Sequence, residues 1–149
     1  FYGVIGHSFG GSMVLNTLNI AGQLPEWHLS HKPERAILIA SPTQMRSPVN
    51  MIAKKLKLNG HGYLYLRHIL REQAKIDLKR IQLDHIVSQT PNIPFLCIHG
   101  AQDKTIHPKE SIRFCRKYQN ADLRILPNAN HVSVLMDERV ERLICDFLT

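Results

Sequence analysis

Short apolar runs and longer amphipathic stretches alternate along the chain, and the two periods predict different elements. Residues 2–5 (YGVI), 36–40 (AILIA) and 95–98 (FLCI) are almost wholly apolar, and the last two are closed by Ser-Pro and His-Gly. Short runs of this kind read as strands buried on both faces. A fourth run, residues 123–126 (LRIL), alternates apolar with polar and reads as a last, less buried strand stopped by Pro127. Between the runs, apolar residues recur at helical spacing. Val14, Leu15 and Leu18 mark a helix over 10–21 that ends at Gly22, and Ile112, Cys115 and Tyr118 mark another behind Pro108, a residue suited to a first turn. Val140, Leu143, Ile144, Phe147 and Leu148 mark a closing helix. This alternation predicts an α/β fold, a parallel sheet with helices on both faces.

Residues 43–92 interrupt the rhythm, because some 50 residues separate the second strand from the third. Such connections usually take roughly two to six. Tyr63, Leu66, Leu70 and Ala74 fall on one helical face with Arg67, Arg71 and Lys75 nearby. The segment therefore reads as an amphipathic helical insertion that could lie over the sheet edge as a lid.

Composition narrows the class. With 149 residues, 44% of them hydrophobic, the chain can bury one sizeable core. It opens at Phe1 directly in an apolar run, as a fragment would. The formal charge of +7 is concentrated in residues 46–80, where nine Lys/Arg face only Glu72 and Asp77. That stretch offers only Tyr63 and Tyr65 as aromatics and no nucleic-acid motif, so it reads as a solvated helix face and no nucleic-acid partner is expected. Cys97, Cys115 and Cys145 are widely spaced and odd in number, which points to a reducing, cytoplasmic compartment rather than a disulfide framework. No run approaches the ~18–20 apolar residues of a membrane span.

The candidate chemistry begins at residues 6–11, "GHSFGG", where the first strand turns into the first helix. A serine at such a turn, with glycines two before and two after it, is the G-x-S-x-G nucleophile elbow: the tight geometry leaves no space for side chains at Gly6 and Gly10. It exposes the Ser8 hydroxyl above the strand ends and sets the backbone N–H of Phe9 at a helix N-terminus, where it can hold an oxyanion. Close helix–sheet packing alone would also explain Gly6, Gly10 and Gly11, but would not ask for a serine. A serine hydroxyl needs a base, and the base an orienting carboxylate. His131, in "NANHVSVLMD", follows the fourth strand, and Asp103, in "HGAQDKTIHP", follows the third, so both share an edge with Ser8. Asp77 and Asp84 follow no clear strand, and Asp103 could also be a plain turn residue. His107 is the alternative base, better placed to serve the loop or helix start. His7 is read as pointing away from the nucleophile and packing, and His99 and Cys97 as core. The pairs His28/His31 and His61/His68 lack acidic or cysteine partners, so no metal is expected.

With these motifs the chain resembles the α/β-hydrolase superfamily over essentially its whole length, from the nucleophile strand to the C-terminus. "GHSFGG" resembles the family's elbow, "PFLCIHGAQDKTIHP" its acid-bearing strand and loop, and "ILPNANHVSVLMDERVERLICDFL" its histidine loop and last helix. The resemblance implies a partial α/β-hydrolase domain over 1–149: four C-terminal parallel strands, the N-terminal half absent, and 43–92 in the place of the cap. It implies Ser8 as nucleophile, Asp103 as orienting acid, His131 as general base, and a carboxylesterase-like serine hydrolase acting on a small-molecule acyl substrate without a cofactor. An acyltransferase or cofactor-free haloperoxidase-like enzyme would use the same triad, and a non-catalytic ligand-binding member is the remaining alternative. Serine at the elbow disfavours the dehalogenases and epoxide hydrolases that carry aspartate there. Asn130 stands where many members have glycine, and its expected merit is tolerance of left-handed backbone.

Overall fold

A computed structural model of the chain describes residues 2–23, 33–44, 46–73 and 92–149. Four parallel strands, β1 (Gly3–His7), β2 (Arg35–Ile39), β3 (Phe95–Gly100) and β4 (Ala121–Leu126), lie side by side in chain order. Helix α1 (Phe9–Gln23) follows β1, α2 (Arg46–Lys55) and α3 (Gly60–Glu72) follow β2, α4 (Lys109–Lys117) joins β3 to β4, and α5 (Glu138–Leu148) closes the chain.

Alternation of side chains across the sheet divides the core in two. Ala36 and Leu38 of β2 and Phe95 and Cys97 of β3 meet Leu15 and Leu18 of α1 and Phe114 of α4. Their neighbours Ile37, Ile39, Leu96 and Ile98 meet Val134 and Val140, with Leu143, Ile144 and Phe147 of α5 against them. Both faces of β2 and β3 are covered, which is why their sequences show no polar alternation. β4 lies at one edge and alternates partly buried with exposed positions. β1 is the other outer strand of the described sheet, and Ile5 is 48% exposed there.

Element bounds shift where pairing, invisible to local patterning, extends a strand. β3 continues through His99 and Gly100 because they pair with Ile125 and Leu126, and β4 begins at Ala121 because it pairs with Phe95. β1 reaches His7, opposite Ile39 of β2. Pro108 caps α4 from outside instead of opening its first turn, and the fully buried side chain of that helix is Phe114, which lies off the Ile112–Cys115–Tyr118 stripe. Within 43–92 the described part holds α2, with Pro48, Val49 and Ala53 buried, and α3, with no buried residue. α3 meets α2 where the Tyr63 hydroxyl donates to Asn50 Oδ1 at 2.7 Å. Ala74, Lys75, Asp77, Asp84, His28 and His31 lie outside the described residues.

Candidate active site

Ser8 occupies the single-residue turn between β1 and α1 with φ of 54°, in the left-handed region that a residue with a Cβ avoids at a cost of about 1–2 kcal/mol. Its neighbours enforce that conformation. The Ser8 N–H donates to Ile39 O at 2.9 Å, and the Gly11 N–H donates to Ser8 O at 3.1 Å. A Cβ on Gly6 would come within 2.6 Å of Gly11 Cα, and one on Gly11 would collide with the Ser41 side chain. A Cβ on Gly10 would meet nothing described within 4 Å. The glycines that permit the turn are therefore Gly6 and Gly11, which corrects the expectation that Gly10 is the second: the crowding lies on the α1 face turned towards β1 and Ser41, and Gly10 is exposed.

Asp103 sits in the turn after β3, its side chain fully buried. Thr105 N–H and Ile106 N–H donate to Oδ1 at 2.7 and 2.9 Å. His131 Nδ1 lies 2.7 Å from Oδ2, and His99 Nε2 lies 3.2 Å from the same oxygen. Burial alone pushes this carboxyl up, but the hydrogen bonds from His99, His131, Ile106 and Thr105 outweigh it and hold the pKa at about 2. Asp103 is thus a carboxylate and an acceptor only, so His131 Nδ1 carries hydrogen towards it. The other ring nitrogen, His131 Nε2, lies 2.9 Å from Ser8 Oγ and is left to accept the hydroxyl proton.

The loop that carries His131 is fixed from both sides. Gln102 N–H donates to Ala129 O at 2.9 Å, and a Cβ on Gly100 would come within 2.6 Å of the Ala129 carbonyl carbon, so only glycine lets the end of β3 approach that backbone. Asn130 does not use left-handed backbone here. Its Oδ1 accepts from Val132 and Ser133 N–H at 3.0 and 2.9 Å, while its own N–H donates to Ser133 Oγ at 2.8 Å, reciprocal bonds that close the turn just ahead of the short 3-10 helix Ser133–Met136. His7 does not turn away from the site: its Nε2 lies 2.9 Å from His131 O, and the two rings lie 5.0 Å apart. His107, the alternative base, is exposed at the start of α4, where Nδ1 accepts from Lys109 N–H at 3.1 Å.

Phe9 is the first residue of α1, so its N–H belongs to the opening turn, whose amides have no acceptor within the helix. Beside the acid loop, Lys54, Lys55, Lys104 and His107 line an open cavity of about 670 Å³. Glu110, a carboxylate in that lining, is engaged by the Thr43 N–H at 2.9 Å and by the Ser47 hydroxyl. Among the described residues, no group of three or more His, Cys, Asp or Glu could hold a metal ion, and no helix is long and apolar enough to cross a membrane.

A strand–serine–helix turn on a parallel sheet, with acid and histidine loops at the same strand ends, is the architecture of the α/β-hydrolase fold. The sequence model of the serine hydrolase (FSH1) family matches residues 1–132, and the chain belongs to that family. Its fold is similar to that of the esterase domain of a Rhodothermus marinus protein (20% identity, TM-score 0.57), covering 99% of this chain and 57% of that one. It is also similar to butyrate-bound Est2, a Thermogutta terrifontis esterase (18%, TM-score 0.64; 98% and 55% covered). A third likeness is to the Pyrococcus furiosus esterase Pf2001 (18%, TM-score 0.62; 98% and 51% covered). The chain thus spans little more than half the length of these structures. No curated protein matches its sequence.

Proposed function

We propose that this serine hydrolase cleaves a carboxylic ester through an acyl-enzyme formed on Ser8. The observation that carries the reading is the chain of contacts from Ser8 Oγ to His131 Nε2 at 2.9 Å and from His131 Nδ1 to Asp103 Oδ2 at 2.7 Å. Ser8 Oγ attacks the ester carbonyl and gives its proton to His131 Nε2. The tetrahedral oxyanion is met by the Phe9 N–H at the α1 N-terminus. Collapse expels the alkoxide, which takes the proton from Nε2 and leaves the acyl group on Oγ. Water then repeats the sequence with Nε2 as base, releasing the acid and restoring Ser8. Asp103 holds the ring in the tautomer this requires and stabilises the imidazolium. In this reading residues 43–92 serve as the cap over the site, with α2 and α3 in its described part. Ser8→Ala is expected to abolish p-nitrophenyl ester turnover, and near-normal kcat in that variant would remove Ser8 as the nucleophile.

A further inference from the structure

His99 is a fully buried imidazole for which the reaction above has no use. It stands on β3 two residues beyond Cys97, on the sheet face that meets α4, and its ring reaches both that helix and the acid turn. Nε2 lies 2.9 Å from Ile106 O and 3.2 Å from Asp103 Oδ2. Both are acceptors, so Nε2 must carry hydrogen whatever the charge of the ring. Nδ1 lies 2.7 Å from Ser111 Oγ, a hydroxyl able to donate to a bare Nδ1 and thereby hold the Nε2–H tautomer.

We propose that His99 is a positioning residue for ester hydrolysis: its Nε2–H shares Asp103 Oδ2 with His131, and so limits how strongly Asp103 stabilises the imidazolium that His131 becomes. The inference rests on the triad reading above and refines it. Two imidazole donors converge on one carboxylate oxygen, and the charge that one draws is withheld from the other. Holding the carboxylate plane is not the task of His99, because Thr105 and Ile106 N–H already fix Oδ1 at 2.7 and 2.9 Å. The charge effect therefore decides the sign. Without the His99 donor, Oδ2 binds His131 Nδ1–H more tightly and favours the charged ring. A base that must take a proton from Ser8 and return it to the leaving alkoxide works best when neither form is over-stabilised. Among the described residues His7 also stands against His131, its ring 5.0 Å away, while Lys104 and His107 on the acid loop are exposed.

The test is to titrate the His131 ring by NMR in the full chain, in the wild type, His99→Leu and His99→Gln. The Leu variant is expected to raise the titration midpoint by about half a pH unit or more. The Gln variant, whose amide can donate from a similar reach, is expected to bring it back. The acid limb of kcat/KM should move with the midpoint. If the Leu variant does not fold, His99→Met serves in its place: its flexible thioether fills a similar space but offers Asp103 no hydrogen, so the same upward shift is expected. A folded variant with an unmoved midpoint overturns the inference. The titration needs no turnover, so a moved midpoint supports it independently, and an inactive wild type would count only against the hydrolase reading.

Discussion

At the scale of single residues the site depends on two unfavourable placements, each held by specific bonds. Ser8 is kept left-handed by the turn around it, and Asp103 is kept ionised while buried by four N–H donors. Asp103→Asn preserves shape but lets the amide donate to His131, turning the ring to the wrong tautomer, and kcat should fall roughly 10⁴-fold. A loss under about tenfold would place the acid elsewhere. The same carboxylate links stability to pH. Its folded pKa of about 2 lies below the ordinary 3.8, so its contribution is full above about pH 4 and is lost as pH falls towards 2. That contribution is on the order of 2 kcal/mol. Acid unfolding followed by circular dichroism should therefore show a flatter stability profile between pH 4 and 2 for Asp103→Asn than for the wild type.

At the scale of elements, the turn joining β1 to α1 makes a prediction that motif reading alone would reverse. Gly11→Ala drives a methyl into Ser41, which ties the end of β2 to Gly6 O at 3.2 Å. It should cost about 1–3 kcal/mol, seen as a fall in Tm of several degrees. Gly10→Ala meets open space and gains helix propensity, so it should be neutral or stabilising by up to about 1 kcal/mol. The four strands and the positions of Ser8, Asp103 and His131 were legible in the sequence, because each residue directly follows a run that patterning identifies. The role of Gly11 was not, because it depends on how closely α1 approaches Ser41, a residue 30 positions away. Phe114 was hidden for a similar reason: the spacing of apolar residues in α4 cannot show which of them faces Phe95. His7 and His99 fall just past the apolar runs that the sequence shows, and their partners, His131 O and Asp103, come from loops whose paths only the fold supplies.

At the scale of the whole molecule, charge and exposed apolar surface bear on substrates and association. Lys54, Lys55 and Lys104 around one cavity should raise the local concentration of anionic esters. kcat/KM for a dicarboxylate monoester should fall with added salt more steeply than for a neutral ester of equal size, and parallel slopes would leave these charges as a solvated surface. At the outer strand β1 of the described sheet Ile5 is exposed, as is Tyr2 just ahead of it, and Phe9 and Met13 are exposed on the adjoining α1. An apolar outer strand of this kind invites edge-to-edge pairing. Residues 1–149 should therefore associate with rising concentration in light scattering, and Ile5→Lys should weaken that association.

The proposed nucleophile is Ser8, activated by His131 and Asp103. It is tested most directly by exposing the chain to a fluorophosphonate and locating the adduct by peptide mass spectrometry. A single adduct is expected on Ser8, formed at least a hundredfold more slowly in His131→Ala. An adduct on another residue, or equal labelling with and without His131, would contradict it.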